Sequence, residues 1–210
     1  DNGSILELND NSRIDVQQNA KIIVKHGGKL ILNSGSTINV SNGGRIIIED
    51  DGFLDYFPNA IINLNGSNSV LEIDGTLKIE DGATFTFTYP LNSPQHGYLL
   101  FANTSLFPSR NITAGNNCSI NLTGSSQNYK VLQIDQETFY APPSIENFTI
   151  SYGKVELASD ARLQADGLST NINFNNAKFT STTPGTNNGH RGVHLYGQPN
   201  ITIDNCVFEY

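Results

Sequence analysis

GGKLILNSGSTINVSNGGRIIIEDDGFLDYFPNAIINL runs from Gly27 to Leu64 and repeats one pattern at a fixed interval. Apolar pairs two residues apart stand at Leu30/Leu32, Ile38/Val40, Ile46/Ile48, Leu54/Tyr56 and Ile62/Leu64, so their first members are eight residues apart. Three positions before each pair stands Gly27, Gly35, Gly43, Asp51 or Asn59, and the residue that follows is small: Gly28, Ser36, Gly44, Gly52 or Ala60. The same octad reaches back through Ile22/Val24, Ile14/Val16 and Leu6/Leu8, with Asn19, Asn11 and Gly3 in the turn position.

Apolar residues at alternate positions mark a strand with one buried face. Gly, Asn and Asp enter the left-handed region of backbone space at low cost, so one in every octad bends the chain at a corner. An interval of eight leaves no room for a crossover helix, and two-residue hairpin signals are mostly missing. What remains is a coil of short parallel strands stacked on the next coil, with inward residues in apolar columns. The outward residues choose the coil length. With three octads per coil, about 24 residues, Asp15, Asn39 and Asn63 stack and Ile23 lies beside Ile47; with two, Asp15 would sit on Ile31. The fold expected is all-β: a right-handed parallel β-helix, a three-sided β-solenoid, its hand following the rule for parallel crossovers.

The register divides the chain into three stretches. Residues 1–88 are regular octad coils, loosening after Leu64 through Leu71/Ile73, Leu77/Ile79 and Phe85/Phe87. Residues 89–147 carry Pro90, Pro94, Pro108, Pro142 and Pro143 around strand-like pieces at Tyr98–Phe101, Ser119–Leu122 and Lys130–Ile134, which reads as coils with long loop insertions. Residues 148–210 resume the ladder at Phe148/Ile150, Val155/Leu157, Leu163/Ala165 and Ile172/Phe174 and add Asn/Cys corner repeats. Neither end shows a capping segment, so the solenoid is expected to be part of a longer β-helix or assembly.

Composition narrows the partners. Charged residues make up 15%, the net charge is −8, and 27 of the 210 residues are Asn. An acidic chain is a poor match for nucleic acid. No apolar run approaches the roughly 20 residues of a membrane span. The two cysteines, Cys118 and Cys206, form neither a disulfide framework nor a zinc motif.

GVHLYGQPNITIDNCVF, Gly192 to Phe208, reads as strand, corner, strand, Asn-Cys and inward Phe, and NINFNNAKF, Asn171 to Phe179, repeats the end of that unit. This resembles the right-handed β-helix repeat of the pectate-lyase-like superfamily. The resemblance implies that an inward corner Asn, here Asn176 and Asn205, bonds the neighbouring coil. The octads are similar to the repeats of large secreted bacterial β-helix proteins, including those exported by the type IX route. That implies an extracellular or cell-surface location and says little about activity, since the fold hosts lyases, hydrolases, adhesins and stalks.

Candidate chemistry is sparse. Gly189-His190-Arg191-Gly192-Val193-His194 matches the Gly-His-Gly element of pectin hydrolases at two positions, and Asp204 stands ten residues beyond His194. A site of His190, Arg191, His194 and Asp204 is weighed against a solvated loop leading into a strand, which is preferred. Glu49, Asp50 and Asp51 at a corner are hard oxygen ligands of the type calcium takes. The preferred reading is solvated carboxylates, with no cofactor. Phe53 and Phe57 point outward by the octad and could stack on sugar or sit under an insertion. The function expected is a secreted or cell-surface β-helix segment with a structural, adhesive or carbohydrate-contacting role, its partner a polysaccharide or another surface protein. The alternative is the N-terminal part of a polysaccharide lyase or glycoside hydrolase.

Overall fold

The computed structural model describes residues 3–66, 68–88, 98–102, 112–127, 129–135, 138–158, 161–165, 171–181, 192–197 and 200–209. Every strand pairing among them is parallel and joins a strand to the third one along the chain. This is the connectivity of a three-sided solenoid. The first face begins with Ile5–Leu8, Lys29–Leu32 and Phe53–Tyr56 and ends with Gly192–Leu195. The second begins with Arg13–Val16, Thr37–Ser41 and Ile61–Asn65 and ends with Cys118–Thr123, Ile145–Ser151, Asn171–Asn175 and Asn200–Asp204. The third is one continuous sheet of eight strands, from Lys21–Val24 to Val207–Glu209. Leu6 stands beside Leu30 and Leu30 beside Leu54, Ile14 beside Ile38 and Ile38 beside Ile62, which gives the expected coil of roughly 24 residues.

The corners explain the octad. All eight expected turn residues, Gly3, Asn11, Asn19, Gly27, Gly35, Gly43, Asp51 and Asn59, have φ between 57° and 73°. The amide of the small residue that follows closes a tight turn. Ser12 donates to the Asn9 carbonyl at 3.0 Å, Gly44 to Ser41 at 2.8 Å and Gly52 to Glu49 at 2.8 Å. Smallness is a steric requirement: a Cβ on Gly44 would lie 2.9 Å from the Ser41 carbonyl oxygen and 3.0 Å from a Val40 methyl. The same corner amides and carbonyls bond the neighbouring coil, so each turn also continues the ladder.

Inward residues form the expected columns. Leu30, Leu54, Leu77, Ile38, Ile62, Ile46 and Leu71 are fully buried. Each such side chain contributes about 1.5–3 kcal/mol through removal from water. The interior changes character along the axis, aliphatic in the first coils and aromatic in the last. Phe174 meets Phe148 edge-on at 5.5 Å, and Phe179 stacks on Phe208 at 4.7 Å. Tyr56, an aromatic of the earlier coils, is buried edge-on to Phe85 with its hydroxyl donating to the Ala60 carbonyl; burial pushes its pKa up.

Insertions do not break the columns. Leu71 pairs with Leu99 and Leu99 with Leu132, while Leu77 pairs with Ile112 and Phe85 with Ile120. The extra residues therefore leave at corners, and the chain re-enters the same register. One expectation needs correction. Asn176 and Asn205 do stand at corners, with φ of 49° and 48°, but their side chains are not inward. The Asn205 side chain is exposed and that of Asn176 half-buried. Their amide nitrogens donate to the preceding Asp204 and Asn175 at 3.3 and 2.6 Å. Each amide is instead spent on the side chain before it, at the surface of the corner.

Candidate functional site

The residues singled out from the sequence do not converge. His194 lies on the first face between Val193 and Leu195, which pack on the core; it points outward with Nδ1 3.1 Å from the Tyr196 hydroxyl. Asp204 ends a strand of the second face, level with Asn175. The pair is thus split between two faces. His190 and Arg191 lie outside the described residues. Phe53 and Phe57 are half-buried on the first face, and the Lys29 ammonium lies 5.5 Å from the Phe53 ring centroid.

At the acidic corner, Asp50 and Asp51 are exposed, and Asp51 faces His26 at 3.2 Å. Glu49 is half-buried near Asp74, whose carboxyl is pushed up to about 6, first by burial and then by the negative charges of Glu72, Asp50 and Glu49. Arg45 opposes that rise and pairs with Glu72. Among the described residues no group of three or more His, Cys, Asp or Glu side chains is arranged to hold a metal. The free cysteines are apart in the chain and in their surroundings, Cys118 buried and Cys206 partly exposed.

The most ordered surface feature was not among those candidates. On the second face, four successive strands turn three residues each to solvent, and the registers align them in columns. Ser119, Asn147, Asn171 and Asn200 form the first column. Asn121, Thr149, Asn173 and Thr202 form the second. Thr123, Ser151, Asn175 and Asp204 form the third. With rungs about 4.8 Å apart and alternate residues roughly 6.6 Å apart, the array is a flat patch of roughly 13 by 14 Å. Asp204 is the single charge among these twelve residues, with Glu146 exposed beside the first column, and the other two faces carry Lys29, Asp55, Lys78, Arg45, Glu72, Lys154 and Glu156.

The columns differ in how they are satisfied. In the first, each amide nitrogen donates to the coil before it: Asn147 to the Ser119 hydroxyl at 3.3 Å, Asn171 to Asn147 at 3.2 Å, Asn200 to Asn171 at 3.1 Å. That ladder rivets coils together. Earlier on the same face Asn39 donates to Asp15 at 2.7 Å and Asn63 to Asn39 at 2.7 Å, and Thr88 donates to Asn63. The Asn39 amide, then Arg13, holds the Asp15 carboxyl below its usual value. In the second column, by contrast, Thr149, Asn173 and Thr202 have no side-chain partner among the described residues, and neither does the Asn121 Oδ1. An amide offers two donors and an acceptor, and a hydroxyl one donor and two lone pairs, so Thr149, Asn173 and Thr202 present unused capacity of both signs, while the Asn121 Oδ1 is buried.

Octad stacking finds the upper ladder, because Asp15, Asn39 and Asn63 are a fixed 24 apart. It misses the lower array, where successive members are 28, 24 and 29 residues apart. The signal that could have found it is the run of alternating polar residues in NINFN and NITID. In comparison with known proteins, no family model, curated protein or solved structure matches the chain.

Proposed function

We propose that the protein is an extracellular or cell-surface β-solenoid segment with a structural or adhesive role, and that its second face contacts neutral polysaccharide. The observation that carries this reading is the array of Ser, Thr and Asn side chains between Ser119 and Thr202, flat, nearly uncharged, and with one column free of internal partners. Sugar hydroxyls both donate and accept, and so do these side chains. The net charge of −8 opposes polyanions and leaves neutral polymers unaffected. A solenoid presents such a surface rigidly, since neighbouring coils lock each rung, and rigidity lowers the ordering cost of binding. The similarity of the octads and the Asn-Cys corners to secreted bacterial β-helix repeats, including type IX-exported proteins, supports the surface location.

The test is retention on immobilised β-glucan, xylan and galactomannan against polygalacturonate, with and without calcium. Retention on a neutral polymer, weakened in the Thr149→Ala/Asn173→Ala/Thr202→Ala variant, is the expected result. Equal or preferential retention on the polyanion would contradict it. Release of unsaturated or reducing ends from any of them would replace it with a lyase or hydrolase on the same fold.

A further inference from the structure

Nine non-glycine residues among those described have positive φ. Eight are Asn or Asp, the types whose short polar side chains tolerate the left-handed region. The ninth is Tyr152, at 48°. An aromatic residue there presses its Cβ against the following carbonyl, which is the kind of strain that accumulates at functional positions.

Tyr152 occupies the corner between Ile145–Ser151 on the second face and Gly153–Leu157 on the third. The next two coils put Asn176 and Asn205 at the same corner with the same φ, 49° and 48°. The backbone bonds are equivalent as well: the Tyr152 amide donates to the Asn175 carbonyl at 3.1 Å and the Asn176 amide to the Asp204 carbonyl at 3.0 Å. Geometry therefore asks for Asn at 152, and the chain supplies a ring. That ring is half-exposed and held edge-on by Tyr129, with centroids 6.0 Å apart and planes at 77°. One face of Tyr129 is occupied by the Lys178 ammonium, 5.2 Å from its centroid. Among the described residues neither tyrosine hydroxyl has a hydrogen-bond partner. The corner adjoins the third column of the polar array, Ser151 and Asn175 being its nearest rungs.

We propose that Tyr152 is the sugar-stacking platform of the polar face, buttressed by Tyr129. A neutral pyranose lays its C–H face on the Tyr152 ring, and its hydroxyls bond to Asn175 and Asn176 of the next coil. Aromatic rings suit this role because they combine apolar area with a fixed orientation and few rotatable bonds. The assignment rests on the carbohydrate-contacting reading and adds to it a position and a ligand class.

The experiment compares wild type, Tyr152→Asn and Tyr152→Phe for affinity towards soluble β-glucan, xylan and galactomannan, with a melting curve for each. Tyr152→Asn should melt higher than wild type, because Asn relieves the backbone, and should bind at least about tenfold more weakly. Tyr152→Phe keeps the ring and should stay within about threefold. Undiminished binding by Tyr152→Asn would remove the platform while leaving the polar face in place. A lower melting temperature for Tyr152→Asn would make the ring a packing element and also overturn the assignment. Absence of binding by the wild type to all three polymers would end the carbohydrate reading itself, and the platform with it.

Discussion

Lys130 offers the sharpest measurement on the fold. Its side chain is only 7% exposed, its Nζ donates to the Thr86 hydroxyl at 2.9 Å, and it lies 5.0 Å from the Phe87 ring centroid. No carboxylate pairs with it among the described residues. Burial pushes its pKa down to about 8. An amine whose folded pKa lies below its unfolded value penalises folding at every pH below the folded value. The penalty fades as pH rises between the two. The gap from about 8 to the roughly 10.4 of a free lysine corresponds to about 3 kcal/mol. Lys130→Met keeps the length and the contact with Phe87 but removes the charge. It also removes the bond to Thr86 and the ammonium–ring attraction, each worth about 1 kcal/mol. The variant should therefore be more stable than wild type by about 1 kcal/mol at pH 7, and its advantage should vanish by about pH 10. Guanidinium unfolding of both proteins between pH 7 and 10, followed by circular dichroism, measures the difference. A variant less stable than wild type at pH 7, or a difference that does not change with pH, would refute the reasoning.

Five further substitutions probe other parts of the coil. Asp74, its carboxyl raised to about 6 by burial and by Glu72, Asp50 and Glu49, penalises the fold above that pH and not below the usual carboxylate range. Asp74→Asn should gain about 1–2 kcal/mol at pH 7, with the gain lost by about pH 4, as thermal melts at the two pH values will show. Asn171→Leu removes both of its bonds in the first column, to Asn147 and from Asn200, and should cost about 1–2 kcal/mol in denaturant unfolding. Asn173→Ala in the unpartnered column should stay within about 0.5 kcal/mol. Gly75→Ala would drive a Cβ into the carbonyl oxygens of Gly52 and Glu49 and should lower the melting temperature by several degrees. Gly82→Asn, in a left-handed corner with open space around it, should leave that temperature within about two degrees.

The part of the fold that could be read in advance is the part where covalent spacing and three-dimensional spacing coincide. Between Gly3 and Leu64 each octad is one strand and one corner. A turn residue, a small residue and two apolar residues therefore recur without interruption, and the structure returns all eight corners with positive φ. Beyond Leu64 the coils persist while the interval does not. Leu71 still finds Leu99, and Leu77 still finds Ile112. Inward columns tolerate this because burial constrains only which residues face the core, and corners accept insertions of any length at small entropic cost. The error at Asn176 and Asn205 has a related origin. Asn serves two opposite purposes in a solenoid, as a left-handed corner and as a rung of an amide ladder, and one-letter patterns do not distinguish them. Backbone geometry does, because the corner residues have φ near 50° while Asn39, Asn147, Asn171 and Asn200 lie within strands.

The surface was less legible for a physical reason. Core columns are apolar at nearly every rung, Lys130 being an exception, so the rungs announce themselves; an outward column has no such requirement, and its chemistry emerges only once the registers are known. The second face illustrates the consequence. In its ladder of Ser119, Asn147, Asn171 and Asn200 each Asn amide donates to the coil before it, as in a structural seam. One alternate position along the same strands, Thr149, Asn173 and Thr202 spend none among the described residues. Both columns are built from the same few neutral residue types, and both avoid charge, which would meet its own kind on each rung about 4.8 Å away. Like charges do stack elsewhere on the solenoid, Lys154 beside Lys178 and Lys21 beside Arg45, so the neutral columns are particular to this array. What separates a seam from a contact surface is whether the hydrogen-bonding capacity is already used. On that criterion the second column, and the Tyr152 ring beside the third, are where a partner gains most.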